Sequence, residues 1–548
     1  MMRLPKATVI VLLAALVCVN LALRYPAAQH EGGADSFVFH GLAQVVLDTK
    51  HADWLLNPLS VLGLYPLSHP SGSILSVSDL SEVGGVQVEG SILLADMLTS
   101  ILGTLGAFLM AREIKVGDPL ALLVAFIFST APRFVSSLEW QVPTRSLFTA
   151  IVPLFVWGLL RMHKRVDIIQ IGVLSTILLV MMSAHRLAVM MAIVMTAYIA
   201  ATIFVVVLRI LRTTYASVFL APRLRSILRL GSWCVLVTIA VYFLLFSGLL
   251  DAYEKGQFGA ETGLVGQFEN LGISLARTVG FLIPLVVVGA AAVLHSRGND
   301  VRQPWLVAVL IGILPTLSLR QYTGWYLIPF AAIYIAMGVQ FLHDRLKARR
   351  GIRVAFIASV LVISLVSTVY IVNYERQVEQ YLTSPVYDGG IYMRQAAQHA
   401  FISNSGALGV QAHAISGLPY LPIGGSTTAF QGPEILAFHY LDPSAVRPRL
   451  IPIGSLTIED DSFFVLDDVN LEKTWADTLA KPVSDPYVTQ ELNSYHIQFF
   501  VEKKALSGSF EAYGNTYDSP FAVSCGAERY VVFSSDTVSV FFLQGDPR

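Results

Sequence analysis

Apolar residues fill long uninterrupted stretches of this chain, and polar residues gather between them. Runs of spanning length, or close to it, fall at about 7–23, 91–111, 119–133, 146–160, 168–184, 187–208, 233–250, 278–294, 305–319, 324–342 and 354–373. A helix rises about 1.5 Å per residue, so ~20 apolar residues cross the hydrocarbon of a bilayer. The pattern therefore predicts a polytopic α-helical membrane protein with about 11 spanning helices. His185 and Arg186 divide two runs that would otherwise read as one.

Beyond about residue 374 the spanning pattern stops and the chain reads as a mixed α/β soluble domain. The periodicity predicts a helix around Gly390–Ser403 and strands at Phe463–Leu466, Ile497–Val501, Tyr530–Ser534 and Val538–Leu543. The last two form a hairpin across Ser535–Thr537. The expected organisation is a transmembrane domain over 1–373, carrying a long first loop at 24–90, and a soluble domain over 374–548. No internal repeat is evident.

Cations orient the membrane part. If the first run starts inside, alternate loops return to the cytoplasm, and these loops hold the cations. They carry Arg112 and Lys115; Arg161, Lys164 and Arg165; Arg209, Arg212, Arg223, Arg225 and Arg229; Arg297 and Arg302; and Arg345, Lys347, Arg349, Arg350 and Arg353. That bias predicts a multi-pass plasma-membrane protein with its N-terminus in the cytoplasm, and an odd helix count puts the C-terminal domain outside. Arg3 and Lys6 before the first run also suit a signal peptide. Leu23, Arg24 and Tyr25 are too bulky for a cleavage site, so a retained helix is expected.

Composition narrows the function classes. Of 548 residues, 54% are hydrophobic and 14% charged, too few charges for one globular body in water. A net charge of -1 argues against a nucleic-acid partner. Of Cys18, Cys234 and Cys525, only the last falls in the soluble domain, which excludes an intrachain disulfide there. No Cys/His zinc spacing, phosphate-binding glycine loop or nucleophile elbow occurs.

The loops on the external side carry the candidate chemistry. The first begins Tyr25-Pro26-Ala27-Ala28-Gln29-His30-Glu31-Gly32-Gly33-Ala34-Asp35-Ser36, and Phe37, Val38, Phe39 and Leu42 then suggest a short helix. Asp35 suits a helix N-cap, the plain structural reading, or a catalytic role. A second loop supplies Arg133, Glu139, Trp140, Gln141 and Arg145, where Glu139 and Arg145 suit a simple ion pair. Others supply His185 and Arg186; Asp251, Glu254, Glu261, Glu269 and Arg277; and Arg320, Gln321 and Tyr322. Singly, each cation reads as a headgroup anchor. Together they suit a reaction on a lipid-linked phosphate. Asp35 and Glu139 are the candidate catalytic carboxylates and the candidate ligands for a divalent cation such as Mg or Mn. Arg320, Arg186 and His185 are the candidates for holding the donor phosphate, with Glu31 and Glu269 as further acids. Asp96, inside the second run, suits a helix–helix hydrogen bond.

An acid soon after the first helix, as in His30-Glu31-Gly32-Gly33-Ala34-Asp35, resembles the GT-C superfamily of integral-membrane glycosyltransferases. So do Tyr65-Pro66-Leu67-Ser68-His69-Pro70-Ser71-Gly72, His185-Arg186, the Arg320…Pro329 stretch and the terminal hairpin. Members include oligosaccharyltransferase catalytic subunits, protein O-mannosyltransferases and aminoarabinose transferases, with the prokaryotic and archaeal forms most similar. The resemblance implies sugar transfer from a polyprenyl-phosphate or polyprenyl-diphosphate donor to a lipid, glycan or protein acceptor on the external face. The chain lacks the Trp-Trp-Asp-Tyr-Gly sequon-recognition motif and has a lone Glu139 in place of a paired acidic motif. Protein N-glycosylation is therefore not implied. A transporter, flippase or polymerase of lipid-linked glycans would use the same charges, but a transporter should carry polar residues deep in several helices. A non-catalytic assembly scaffold is a third possibility.

Overall fold

The structure is a computed structural model that describes residues 4–212, 272–420, 446–466 and 477–543. The short stretches 53–54, 56–57, 65–69, 115–116, 163–166, 273–274, 296–300, 314–319, 346–349, 379–380, 397–399, 419, 454–455, 495 and 513–514 are excepted. The chain forms two compact bodies. Residues 1–25, 96–139 and 143–378 make the first, and residues 26–95, 140–142 and 379–548 make the second.

Six described helices are long and apolar enough to cross a membrane: Lys6–Leu23, Val88–Glu113, Arg186–Val206, Leu275–His295, Gly324–Arg345 and Gly351–Arg376. Three other expected runs form shorter apolar helices, Asp118–Ser129, Ile168–Ala184 and Arg302–Ile313. A fourth forms the 18-residue helix Thr144–Arg161, with Pro153 inside it. The run at 233–250 lies outside the described residues.

Apolar side chains meet lipid and neighbouring helices equally well, so close backbone approach and polar contacts decide which helices pair. Gly289 and Gly338 bring helices Ile283–His295 and Arg320–Arg345 together. A Cβ on Gly289 would lie 1.7 Å from the Tyr334 carbonyl oxygen, and one on Gly338 would lie 2.5 Å from that of Leu285. Polar ties fix other pairs. Asn20 Nδ2 donates to Thr104 Oγ1 at 2.9 Å and to the Ser100 carbonyl at 3.0 Å. Arg24, fully buried, donates to the Asn20 side chain and to the carbonyls of Ser129 (3.2 Å) and Phe134 (3.3 Å). Asp96, the acid noted within the second run, is buried and interacts electrostatically with Arg24. Arg302 pairs with Glu113 at 3.0 Å.

The second body is built on a four-stranded sheet. Its strands are β1 (Ala400–Ser403), β4 (Ile497–Lys503), β7 (Tyr530–Ser534) and β8 (Val538–Phe542), in the order β1-β4-β8-β7. β1 and β4 are parallel and the other pairs antiparallel. Two separate hairpins, β2 (Val446–Ile453) with β3 (Leu456–Leu466) and β5 (Ser509–Ala512) with β6 (Asn515–Asp518), complete the strands described. Both sheet faces are covered, which explains the nearly continuous apolar runs of β4 and β8. One face gathers Phe401, Phe499, Val501, Val538, Val540 and Phe542; the other gathers Ile402, Ile497, Phe500, Phe541, Phe521 and Leu543.

The strand expectations at 463–466, 497–501, 530–534 and 538–543 are met within these elements. The helix expected around Gly390–Ser403 is shorter. It spans Ser384–Ala396, and the buried Ala400–Ser403 becomes β1 because its apolar run pairs with β4.

Helix Ala34–Thr49 positions the candidate acid. Phe37 and Val38 join the first sheet-face core, and Leu42 and Ala43 join a second cluster with Ile74, Val77, Val88 and Ile92. At Gly41 the helix meets helix Gly406–Ser416, where a Cβ would lie 2.5 Å from the His413 ring. His413 is itself fixed by donating Nδ1–H to the Leu418 carbonyl at 2.7 Å.

Candidate active site

In the second body, the chain enters helix Ala34–Thr49 through a positive-φ turn. Gly33 occupies the N-cap with φ +91°, and a Cβ there would lie 2.8 Å from the Gln141 side chain. Only glycine suits both conditions. Asp35 is therefore not the N-cap that its position suggested; it is an exposed residue in the first helical turn. A carboxylate there lies where the helix dipole favours negative charge. Ser36 secures the same turn, its Oγ accepting the Val142 N–H at 2.8 Å.

The residues just before this turn form a dense polar knot. Glu31 is fully buried, and its Oε1 lies 2.5 Å from His40 Nδ1. His30 Nδ1 and the Glu31 backbone N–H both meet Glu89 Oε1, each at 3.1 Å. Gly32 N–H donates to the Trp140 carbonyl at 3.1 Å, and the Trp140 indole N–H donates to the Glu89 carbonyl at 2.9 Å. Leu382 N–H donates to the Glu31 carbonyl at 2.9 Å. The His30 ring stacks on Tyr387, centroids 4.3 Å apart and 19° from parallel. Burial pushes the Glu31 carboxyl above the usual carboxylate range; His40 opposes that shift by charge and hydrogen bond, Glu89 adds to it, and His30 opposes it.

In the first body, arginines collect at the ends of several helices. Arg133 follows helix Asp118–Ser129, Arg145 opens Thr144–Arg161, Arg277 sits near the start of Leu275–His295, and Arg376 ends Gly351–Arg376. Arg277 pairs with Glu375 at 3.4 Å, and Arg376 pairs with Glu139, a residue only 2% exposed. Arg133 lies 5.4 Å from the Trp325 ring centroid. Burial lowers its pKa to about 10, the nearby Glu375 opposes this, and Arg277 and Arg145 add to it. Arg133 remains charged at neutral pH. Four guanidinium groups against two carboxylates make this a cationic region, suited to a phosphate and its forked oxygens.

The other sequence candidates are placed as follows. His185 caps the short 3-10 turn Arg186–Met190, its Nδ1 accepting the Leu187 N–H at 3.0 Å, and both His185 and Arg186 are half-buried. Arg320 opens helix Arg320–Arg345, but its side chain lies outside the described residues, as do Glu269 and Tyr65–His69. Asp35 belongs to the second body and Glu139 to the first. Among the described residues, no group of three or more His, Cys, Asp or Glu side chains converges as a metal site. His40, Glu89, Glu375 and Arg376 were not singled out from sequence. His40 follows Asp35 by five residues, and Arg376 is a cation at the far end of the last run, where orientation does not call for one. Those two signals were available.

No family model matches the chain, and neither does any curated protein. Solved structures do. The archaeal oligosaccharyltransferase AglB from Archaeoglobus fulgidus, in complex with an inhibitory peptide and a dolichol-phosphate, aligns with a TM-score of 0.54 at 12% identity over 91% of this chain and 69% of that one. ArnT from Cupriavidus metallidurans bound to undecaprenyl phosphate aligns with a TM-score of 0.53 at 12% identity over 98% of both chains. The arabinofuranosyltransferase AftD from Mycobacteria aligns with a TM-score of 0.52 at 12% identity over the whole of this chain and 42% of that one. With its apolar helices and small C-terminal sheet, the chain shares the fold of these three solved structures.

Proposed function

We propose that the protein transfers a sugar from a polyprenyl-phosphate-linked donor to an acceptor on the external membrane face. The observation that carries this reading is the exposed Asp35 in the first turn of a buried, rigidly held helix that follows the first spanning segment. The similar proteins AglB and ArnT were solved with dolichol-phosphate and undecaprenyl phosphate, which supports a lipid-linked donor here. In the proposed reaction an acceptor oxygen or nitrogen forms a bond to the sugar's anomeric carbon while that carbon's bond to the phosphate oxygen breaks. Asp35 takes the acceptor's proton or orients its lone pair. A lipid phosphate calls for cationic partners, and the candidates are Arg133, Arg186, His185 and Arg320. Residues 374–548 would handle the acceptor.

A divalent cation is a candidate cofactor of this reaction. An AglB structure contains Zn and sulfate. Asp35 and Glu139 are the candidate hard oxygen ligands, but Glu139 is paired with Arg376 and the described residues offer no converging set.

The test is transfer by the purified protein in lipid nanodiscs from a labelled polyprenyl-phosphate sugar, with parent and Asp35→Asn compared. Asparagine keeps the helix start but cannot accept a proton at neutral pH. Asp35→Asn should melt like the parent and lose about 10²–10⁴-fold in rate. More than half of parental transfer would remove Asp35 from the reaction. Movement of the lipid-linked sugar between leaflets without transfer would favour a flippase.

A further inference from the structure

The Glu31–His40 contact brackets Asp35. Glu31 precedes the Gly33 turn, His40 lies one and a half turns into the helix, and the contact between their side chains straps the two together. Residues 30–33 are otherwise held by Glu89, Trp140, Leu382 and Tyr387, partners far away in sequence. A merely structural tie does not require an acid. Burying a carboxyl group is expensive unless it is fully bonded, yet Glu31 Oε2 has no hydrogen-bond partner among the described residues. A separation of 2.5 Å between carboxyl oxygen and imidazole nitrogen fits one proton shared between them. Losing that proton leaves a buried charge facing Glu89, which already accepts from Glu31's own backbone N–H.

We propose that Glu31 and His40 are positioning residues for the transfer reaction: their contact holds the His30–Gly33 segment and so the first turn carrying Asp35, and breaking it loosens that turn and slows transfer. The proposal rests on the reading of Asp35 as the reacting carboxylate. The groups facing the pair are His30 from its own segment, Glu89 from the start of helix Val88–Glu113, and Tyr387 from helix Ser384–Ala396, itself influenced by Asp388 and Arg394. Of these, His30 and Glu89 bear directly on Glu31's charge.

The experiment uses the full chain in nanodiscs and reads two quantities across pH. One is the rate of sugar transfer; the other is hydrogen exchange of the peptide covering residues 29–42, corrected for intrinsic rates. Parent kcat should fall as pH rises above the ordinary carboxylate range while exchange in this peptide quickens. Glu31→Gln should lower kcat about tenfold to a hundredfold, the scale of a small misplacement of a reacting group, with donor KM unchanged. Its fall with rising pH should disappear, and its exchange should be fast at every pH. Glu31→Gln/His40→Gln should be no worse than the weaker single variant, because both changes break one strap. Parental exchange in Glu31→Gln, or a lowered kcat with an unmoved pH profile, overturns the proposal. Asp35→Asn is run alongside. If it is fully active, the Asp35 reading falls and this proposal with it. If it is inactive with parental exchange while Glu31→Gln keeps parental kcat, only the strap falls.

Discussion

Arg376 places its guanidinium on the buried carboxylate of Glu139, so the last turn of helix Gly351–Arg376 neutralises an acid in the loop before helix Thr144–Arg161. Sequence offered Arg145 for this pairing; the structure supplies a partner more than two hundred residues away. Removing one member of such a pair strands the other's charge. Arg376→Ala should therefore destabilise the protein by about 2–3 kcal/mol, less than for a fully buried pair because Arg376 reaches solvent. Glu139→Gln should cost less, since the stranded arginine is the partly exposed partner. Thermal unfolding in detergent distinguishes the two, and equal melting temperatures for both variants and the parent would refute the pair's importance.

Arg133 lies half-buried beside the Trp325 ring, and a planar fork suits phosphate better than a point charge. Arg133→Ala should raise the donor KM tenfold or more, the equivalent of about 1.5–3 kcal/mol for a charged hydrogen bond. Arg133→Lys should recover only part of this. Arg320→Ala should show a similar defect if that side chain shares the phosphate. Donor titrations at saturating acceptor give the answer, and an unchanged KM in Arg133→Ala would leave it as a packing residue against Trp325.

Stability should depend on pH through Glu31. Its carboxyl titrates above the usual range in the folded protein, chiefly from burial. The protonated form therefore contributes stability that is complete at and below the ordinary carboxylate pKa and is lost as pH rises through the folded value. As pH rises above the ordinary carboxylate range the parent should melt at progressively lower temperature, and Glu31→Gln, whose amide does not titrate, should flatten that slope. Parallel slopes for the two proteins would contradict the assignment.

Gly289→Leu should be among the most damaging changes in the helical body. Its first added carbon would meet backbone, which no rotamer change relieves. A loss above the ~1–3 kcal/mol usual for overpacking is expected, seen as aggregation on size exclusion. Gly172→Leu is the matched control, because a Cβ there has nothing within 4 Å.

Much of the fold was legible because its signals are local. Lipid-facing helices declare themselves by unbroken apolar runs, and the β7–β8 hairpin by two apolar strands around Ser535–Thr537. Asp35 was legible as an acid near a helix start, but its place within the first turn was not, since that depends on Gly33 adopting φ +91°. The knot of Glu31, His40 and Glu89 was hidden for a different reason. His40 sits in a stretch that reads as ordinary amphipathic helix, and Glu89 meets Glu31 across 58 residues. Glu139–Arg376 spans farther still. Such pairs follow from tertiary packing, which a single sequence encodes without displaying.

The division of the second body along the chain also has a consequence in time. Its opening portion, up to Ala95, is separated from Glu379 by about 280 residues, broken only by the brief return at 140–142. At ~5–20 residues per second, a ribosome needs roughly 15–60 s to supply the closing portion. Until then Phe37 and Val38 lack the strands they pack against, and the Glu31 carbonyl lacks the Leu382 N–H. Newly made protein thus passes through a long interval with these apolar side chains uncovered. Chaperone dependence and sensitivity to premature termination should be concentrated in that interval.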